Sequence, residues 1–355
     1  MDFDLKGETE GLQISACRSH IIMNQEISRR KFLGAIAISG AALHGALNHA
    51  LAGDSLIAAM PQMAGIPVID AHIHLYDPFR PQGVPWPPKS NKALYQTSLP
   101  AQYRSIARPL GIVGAIEVEC SSWLEDNQWV LDIAAKEDIM VGTVGRLEPG
   151  TPGFRLSLDR FRQNPLFRGI RYGLGRQSGK ELDRPEFIAD LKALADADLV
   201  LDTANPSVSL LADVVRVNEL VPQLRIVIDH LPQMMPPNEP VLRATYNASM
   251  KALRERPQVC VKISEVLRRT DGRIPTNLDF YRPRLDEILD IFGIDRVLYG
   301  SDWPNSDNWL PVAVGFKLVQ EYFMGQGRLA AEKYFWRNSA KCYKWVKRND
   351  RQPSL

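Results

Sequence analysis

Short apolar runs alternate with longer segments of helical periodicity along most of the chain, from residue 67 to residue 345. The apolar runs are rich in Val and Ile and are nearly continuous rather than alternating with polar residues. Such runs, separated by helices, are typical of a parallel sheet whose faces are covered. The pattern predicts eight strands, at residues 68–74, 112–120, 139–144, 167–172, 199–203, 225–231, 259–265 and 296–302.

The segments between these strands have the apolar spacing of amphipathic helices. We predict helices at residues 102–107, 126–136, 155–162, 184–195, 208–220, 240–254 and 281–291, with closing helices at 311–324 and 329–345. Residues 75–100 are too rich in proline for a helix and predict a long loop after the first strand. Eight strand–helix units of this total length have the size of a TIM barrel. A doubly wound open sheet, the alternative, usually has a glycine-rich turn after its first strand. This chain has His-Ile-His there, so the predicted fold is a (β/α)8 TIM barrel.

The first 52 residues do not follow this alternation. Residues 28–33 read Ser-Arg-Arg-Lys-Phe-Leu, an apolar run rich in Gly and Ala follows, and Ala50-Leu51-Ala52 offers a small-x-small cleavage pattern. This order is typical of an export signal, and the paired arginines indicate the Tat route. The apolar run is too short to be a stable membrane anchor.

The domain organisation follows from these two patterns. We expect residues 1–52 to be a leader that starts at Met23 and engages the Tat machinery, which predicts a periplasmic or exported protein. Residues 53–66 are then a short linker, residues 67–345 the barrel and residues 346–355 a C-terminal tail.

Composition excludes several functional classes. The chain has 355 residues, with 43 Lys plus Arg against 41 Asp plus Glu and a net charge of +2, so it lacks the broad positive field of a nucleic-acid-binding protein. Its 45% apolar and 24% charged residues are those of an ordinary globular protein. Four Cys without a Cys-x-x-Cys pair do not favour a disulfide scaffold or a cysteine zinc ribbon.

Three of the six histidines lie in the predicted leader, and the other three lie at predicted strand ends. His72 and His74 are two residues apart, so both should face the barrel interior, where a pair of imidazoles can bind a metal ion. His230 ends the sixth strand and Asp302 the eighth. A single buried histidine is more often structural, but three at the catalytic end of one barrel favour a shared site. By alternation, Asp229 should face outward.

Other polar residues near these strand ends are candidates for metal binding, substrate binding or structural ion pairs. Glu119 is a candidate third metal ligand or an ion-pair partner of Lys262. Arg171 is a candidate for binding a substrate carboxylate, or for a structural ion pair with Glu117 or Glu119. Lys262 on the seventh strand and Tyr76 in the long loop are further candidate substrate-binding residues.

Five motifs, in this order along the chain, resemble the amidohydrolase superfamily. The match is to its amidohydrolase-2 branch, which contains sugar lactonases and the 2-pyrone-4,6-dicarboxylate lactonase. The motifs are Asp-Ala-His-Ile-His at 70–74, Phe-Arg-Gly-Ile-Arg at 167–171, Ile-Asp-His-Leu at 228–231, Val-Lys-Ile-Ser at 261–264 and Tyr-Gly-Ser-Asp-Trp-Pro at 299–304.

The resemblance implies a TIM-barrel hydrolase that opens a lactone or a related cyclic ester or amide with an activated water. In this family pattern His72, His74 and Asp302 are metal ligands, and His230 and Asp302 are catalytic. The chain lacks the lysine after the fourth strand and the histidine after the fifth that two-metal members carry. These departures leave one divalent ion, zinc by preference, or a metal-free mechanism.

On this reading Asp302 is the base that activates water, and His230 orients the water or stabilises the oxyanion. The expected partner is a small-molecule substrate, a carboxylated lactone if Arg171 binds a carboxylate, and not nucleic acid. Two other functions stay open: a zinc-dependent decarboxylase of an unsaturated or aromatic acid, and an exported ligand-binding barrel without catalysis.

Overall fold

The structure is a computed structural model that describes residues 65–175 and 179–355. The predicted leader, its start at Met23 and the linker as far as residue 64 lie outside the described residues. Within the part that is described, no helix is both long enough and apolar enough to cross a membrane.

Eight parallel strands follow one another in sequence order around a single sheet. Every predicted strand is present, although most end earlier than the apolar pattern indicates. The strands are β1 (Val68–Ile73), β2 (Ile112–Val118), β3 (Met140–Gly145), β4 (Phe167–Tyr172), β5 (Val200–Thr203), β6 (Arg225–Ile228), β7 (Val259–Ile263) and β8 (Val297–Tyr299).

The sheet closes between the end of β1 and the chain segment that follows β8. The His74 amide donates a hydrogen bond to the Trp303 carbonyl at 2.8 Å, and the Asp302 amide donates to the His72 carbonyl at 2.8 Å. The eight strands therefore form the nearly closed barrel that the alternating pattern predicts. Three of the predicted site residues supply backbone atoms to this seam.

A buried carboxylate reinforces the seam from below. Asp70 Oδ2 accepts a hydrogen bond from the Tyr103 hydroxyl at 2.7 Å. Asp70 Oδ1 accepts from the Ser301 amide at 2.8 Å and from the His72 amide at 3.2 Å. One aspartate of β1 thus joins the first strand, the first helix and the turn after the last strand.

Helices follow the strands in alternation, each close to its predicted position. They are α1 (Pro100–Ala107), α2 (Asp126–Lys136), α3 (Phe154–Phe161), α4 (Pro185–Asp196), α5 (Val208–Leu220), α6 (Pro240–Arg254), α7 (Leu278–Phe292), α8 (Val312–Gly325), α9 (Arg328–Glu332) and α10 (Asn338–Tyr343). The second predicted closing helix is interrupted by a π-helical turn at Lys333–Arg337, so it is divided into α9 and α10.

Local sequence explains where several helices begin. Proline occupies the first turn of α1, α4 and α6, where its missing N–H costs nothing. The Ser207 hydroxyl caps α5 by accepting from the Leu210 amide at 3.1 Å.

The predicted loop at 75–100 contains no helix before α1 and is tied at its base. Tyr76 and Ser98 exchange two backbone hydrogen bonds, of 3.0 and 2.9 Å. The loop therefore returns close to the point where it leaves β1. Trp86, in the middle of the loop, lies with its ring centroid 5.9 Å from that of His74, at the carboxyl ends of the strands.

Candidate active site

Four residues with left-handed backbone conformations follow the last four strands. Asn205, His230, Glu265 and Asp302 have φ angles of 51°, 52°, 46° and 58°. The left-handed conformation costs a non-glycine residue about 1 kcal/mol in conformational energy. It persists only where the surrounding structure holds it, and it is common at functional sites. Each of these residues comes two or three positions after the end of its strand, and all four line one cavity.

The cavity lies at the carboxyl ends of the strands and has a volume of about 550 Å³. Of the predicted site residues, His74, Glu119, Arg171, His230 and Asp302 line it. Its wall also contains residues that the sequence analysis assigned no role in the site: Arg146, Asn205, Glu265 and Asn305.

Three imidazoles converge on a single oxygen atom at the cavity floor. Asp302 Oδ1 lies 3.0 Å from His74 Nε2, 3.3 Å from His72 Nε2 and 3.6 Å from His230 Nε2. All four side chains are buried. The structure thus brings together the four residues on which the predicted chemistry depends.

The second nitrogen of each ring has its own partner. His74 Nδ1 lies 2.6 Å from the Val118 carbonyl oxygen, which can only accept, so this nitrogen carries the proton of the neutral ring. His230 Nδ1 is hydrogen-bonded to the Ser264 hydroxyl at 2.8 Å, and His72 Nδ1 to Lys262 Nζ at 3.1 Å. Such partners fix ring orientation in metal and proton-transfer sites.

Burial controls the charge of these histidines. Removal from water lowers the pKa of His74 to about 4 and the pKa values of His72 and His230 well below the usual range. Nearby positive charge adds to this effect, from Lys262 for His72 and from Arg171 for His74. At neutral pH the three rings are therefore uncharged, the form in which imidazole binds a metal.

The donor set at the floor fits a divalent metal ion. His72, His74 and Asp302 offer ligand atoms that lie close together, as do His230, Glu265 and Asp302. The neutral His74 ring directs a nitrogen lone pair at Asp302 Oδ1 from 3.0 Å. Two acceptors at this distance need a proton or a cation between them, and imidazole with carboxylate is a ligand combination that zinc accepts. The cluster can therefore bind a metal ion.

A second carboxyl group, which the sequence analysis left without a role, faces Asp302. The Asn305 amide donates to Glu265 Oε1 at 2.8 Å and to Asp302 Oδ2 at 2.6 Å. Burial and the neighbouring Asp302 charge raise the pKa of Glu265 to about 9, and burial raises the pKa of Asp302 to about 6. Glu265 is therefore protonated at neutral pH, whereas Asp302 is mostly ionised. A carboxyl two residues beyond β7, as His230 is two residues beyond β6, is the signal that could have identified Glu265.

Two arginines provide positive charge on the cavity wall. Arg171 Nε lies 3.2 Å from Asp229 Oδ2, and Arg171 Nη1 donates to the Glu119 carbonyl at 3.3 Å. Arg146 Nη1 lies 3.6 Å from Glu119 Oε1. The structural ion pair considered for Arg171 thus exists, but its partner is Asp229 rather than Glu117 or Glu119.

Four expectations from the sequence need correction. Lys262 is fully buried below the cavity, so its ammonium group does not reach a substrate there. Asp229 is fully buried and faces Lys262 and Arg171 instead of pointing outward, because β6 ends at Ile228 and strict alternation stops there. The Tyr76 hydroxyl donates to the Leu94 carbonyl at 2.9 Å and stays inside the loop.

Glu119 lies on the cavity wall beside Arg146 and belongs to none of the potential metal-binding groups among the described residues.

Comparison with known proteins places this geometry in a family. The family model described as Amidohydrolase matches residues 69–345. The L-fucono-1,5-lactonase of Burkholderia ambifaria is 28% identical over 242 residues, which cover 67% of this chain and 80% of that protein.

Two solved structures have the same fold. An amidohydrolase from Burkholderia multivorans with bound Zn superposes with a TM-score of 0.68 at 21% identity, over 79% of this chain and 99% of the other. A putative 2-pyrone-4,6-dicarboxylic acid hydrolase from Pseudomonas putida gives a TM-score of 0.61 at 19% identity, over 79% and 98% of the two chains. The family match spans nearly all of the barrel, and on that basis this chain belongs to the amidohydrolase family.

Proposed function

We propose that the protein hydrolyses a lactone. The observation that carries this proposal is the buried Asp302 carboxylate, with three uncharged imidazoles around one of its oxygens at the floor of a solvent-accessible cavity. Similarity to the L-fucono-1,5-lactonase of B. ambifaria supports the same class of substrate.

In the proposed reaction Asp302 accepts a proton from a water molecule as the water oxygen attacks the lactone carbonyl carbon. The carbonyl electron pair moves to oxygen. His230 lines the cavity, and in this proposal it stabilises that oxygen or orients the water. Collapse of the tetrahedral intermediate breaks the ring C–O bond. The proton held by Asp302 then passes to the departing alkoxide, so lactone and water give one hydroxy acid.

We further propose that the cation, where one is bound, is a single zinc ion held by histidine and aspartate at the floor. A zinc ion supplies Lewis acidity toward a carbonyl oxygen and lowers the pKa of bound water. The support is the combination of uncharged imidazole and carboxylate donors, together with the Zn in the similar B. multivorans structure.

We propose that the substrate is a carboxylated lactone, because two arginines line the cavity wall. Arg146 and Arg171 line the same cavity, and a guanidinium group can bind a carboxylate through two parallel hydrogen bonds. Arg146 lies beside the Glu119 carboxylate, and Arg171 donates to the Glu119 backbone carbonyl, so both arginines are held at the cavity wall.

The test is to replace Asp302 with asparagine and assay a panel of lactones by acid release. Loss of the base should lower turnover by about 10²–10⁴-fold while the fold is kept. Asp279→Asn, a change at a side chain that is 86% exposed, is the matched control and should leave turnover unchanged. Near wild-type turnover in Asp302→Asn would show that Asp302 is not the base.

Parallel assays of carbon dioxide release from unsaturated and aromatic acids, and of ligand binding, separate the other two functions. A decarboxylase would release carbon dioxide from an unsaturated or aromatic acid and no acid from any lactone. A ligand-binding barrel would bind a panel member and turn over none, and Asp302→Asn would then affect neither product nor rate.

We also propose that residues 1–52 direct export through the Tat route, on the support of Arg29-Arg30 and the apolar run after them. Fractionation of cells that express the full chain should place it outside the cytoplasm. The double change Arg29→Lys and Arg30→Lys should retain it in the cytoplasm, and equal export of both forms would exclude this route.

A further inference from the structure

A nearly buried arginine fixes the long loop between β1 and α1 to the start of α2. The side chain of Arg80, in this loop, is 8% exposed, and its Nη2 donates to Asp126 Oδ2 at 2.7 Å. Asp126 is the first residue of α2, where the helix dipole stabilises a carboxylate. Arg80 Nε also donates to the Gly83 carbonyl at 2.6 Å within the loop. One guanidinium group therefore joins a turn of the loop to the helix beside it.

Two indole rings flank the same guanidinium group. Arg80 Cζ lies 4.6 Å from the centroid of the Trp129 ring and 5.6 Å from that of Trp123. The attraction between a guanidinium group and an indole becomes stronger as both lose contact with water. The ion pair is protected from water as well, because the Asp126 side chain is only 14% exposed. Loss of either charge would leave the other without a partner in a poorly hydrated place, so this contact should hold the loop firmly.

Trp86 follows six residues after Arg80 and lies in the wall of the catalytic cavity. Its ring centroid is 5.9 Å from that of His74 and 5.4 Å from that of Tyr76, in both cases edge to face. A second cavity, of only about 20 Å³, lies between the loop and the segment from β2 to α2, and Arg80, Trp86 and Trp129 are among the residues that line it. Because this void is so small, the loop packs closely against the segment to which Arg80 fixes it.

Trp86 gives the catalytic cavity its large apolar face. Most of the other side chains in the lining are charged or polar, and within the described ranges Trp86 is the one aromatic ring there besides two histidines. An indole offers a rigid apolar surface at a low cost in conformational entropy. A cyclic substrate can therefore pack one face of its ring against Trp86 while the polar groups of the cavity bind its oxygen atoms.

We infer that Arg80 is a positioning residue that holds the loop with Trp86 in the cavity wall, and that Trp86 determines specificity by packing against the ring of the substrate. The position of the loop follows from contacts within the protein alone. The contact between Trp86 and a lactone ring rests on the proposed function.

The first test reads the position of the loop without any reaction. Hydrogen–deuterium exchange of peptides from residues 77–97, followed by mass spectrometry, is compared in the wild type, Arg80→Met and Asp126→Asn. Both changes should speed exchange within the loop by about 10-fold, because each breaks a poorly hydrated ion pair. Unchanged exchange in folded Arg80→Met would show that Arg80 does not hold the loop. If Arg80→Met does not fold, Asp126→Asn decides in the same way.

Arg160→Met is the matched control for the exchange experiment. Arg160 forms an ion pair with Glu125, the residue before Asp126, so this pair joins α3 to the start of α2 and does not include the loop. Exchange within the loop should stay at the wild-type rate in this variant. Arg80→Lys keeps the charge but loses the planar fork, so it should restore only part of the protection. Equal acceleration by Arg160→Met and Arg80→Met would overturn the specific role of Arg80.

The second test uses the lactone panel to separate binding from turnover. Trp86→Ala should raise KM by about 10-fold and change kcat by less than about threefold, because packing against a ring contributes equally before and during the reaction. Arg80→Met should raise KM in the same direction, and Trp86→Phe, which keeps an aromatic face, should stay close to wild type. Phe79 lies in the same loop but is 69% exposed and does not line the cavity, so Phe79→Ala should change neither constant.

The outcomes distinguish this inference from the proposed function. Lactone hydrolysis with an unchanged KM in Trp86→Ala would overturn the role of Trp86 and leave the proposed function standing. A protein that hydrolyses no lactone would refute the proposed function, and the contact to a lactone ring with it. The exchange experiment would still decide whether Arg80 holds the loop.

Discussion

Burial and hydrogen bonding act in opposite directions on the pKa of the Asp302 carboxyl group. Burial raises its pKa to about 6, and its hydrogen-bonding partners Glu265 and Asn305 favour the ionised form and limit that rise. A base must be ionised to accept a proton, and the ionised fraction increases as the pH rises through the pKa.

We therefore expect turnover by the chelator-treated protein to rise with pH between about 4.5 and 8, with a midpoint near pH 6. A cation beside this carboxylate favours its charged form, so zinc-loaded protein should reach half-maximal turnover at lower pH. The measurement is kcat/KM across this pH range for both forms. A midpoint near pH 4 without metal would mean that burial does not control Asp302.

The positions of three histidines and one aspartate at predicted strand ends, together with the family motifs, predicted the four central side chains. All three histidines outside the predicted leader lie at strand ends, which chance alone would rarely produce, and Asp302 lies at the same end of the barrel after β8. Glu265, Arg146 and Asn205 were missed because glutamate, arginine and asparagine are common at loops. Residue type does not show that the backbone turns left-handed at Asn205 and Glu265, or that the Arg146 side chain reaches the cavity; for Glu265, only its position two residues beyond β7 indicates a place in the site.

At the scale of the strand, the position relative to the last residue separates two layers of side chains. His72 and Lys262 are the penultimate residues of β1 and β7, and both are buried below the cavity. His74 and Glu265 are the first and second residues beyond the same strands, and both line the cavity. Alternation predicts which face a residue takes but not its depth along the barrel, which is why Lys262 was wrongly expected to bind substrate.

The buried Asp70 carboxylate should stabilise the seam between β1 and β8. Asp70→Ala removes three hydrogen bonds at once and leaves a hydroxyl and two amides unpaired in a buried place. We expect the free energy of unfolding to fall by about 3 kcal/mol, because each buried group left without a partner costs roughly 1–3 kcal/mol and neighbours relax in part. Urea unfolding measures this change.

Tyr103→Phe is the matched control for the seam, because it removes only one of the three donors to Asp70. It should lower the free energy of unfolding by about 1 kcal/mol. If Asp70→Ala cost no more than Tyr103→Phe, the seam would depend on the backbone hydrogen bonds after β1 and β8 and not on Asp70.

At the scale of the whole molecule, the two ends of the barrel have separate tasks. The cavity and its charged groups lie at the carboxyl ends of the strands. The predicted C-terminal tail packs at the other end: the Val346 amide donates to the Val141 carbonyl at 2.8 Å, and Arg348 Nη2 donates to the Ala135 carbonyl at 2.9 Å. In TIM barrels the amino-terminal end of the sheet contributes stability and the carboxyl-terminal end carries the chemistry.

Gln352 tests this separation, because it is the buried residue of the tail. Its amide donates to the Val113 carbonyl at 2.9 Å and to the Asp138 carbonyl at 2.8 Å, and its oxygen accepts from the Arg348 amide at 2.6 Å. Gln352→Ala should therefore lower the free energy of unfolding by about 2 kcal/mol. These contacts join the starts of β2 and β3, at the opposite end of the barrel from Asp302. The value of kcat/KM should therefore not change at temperatures where the protein is folded.

The control is Ser354→Ala, at an exposed position of the same segment, which should change neither the free energy of unfolding nor kcat/KM. A loss of kcat/KM in folded Gln352→Ala would mean that the two ends of the barrel are coupled.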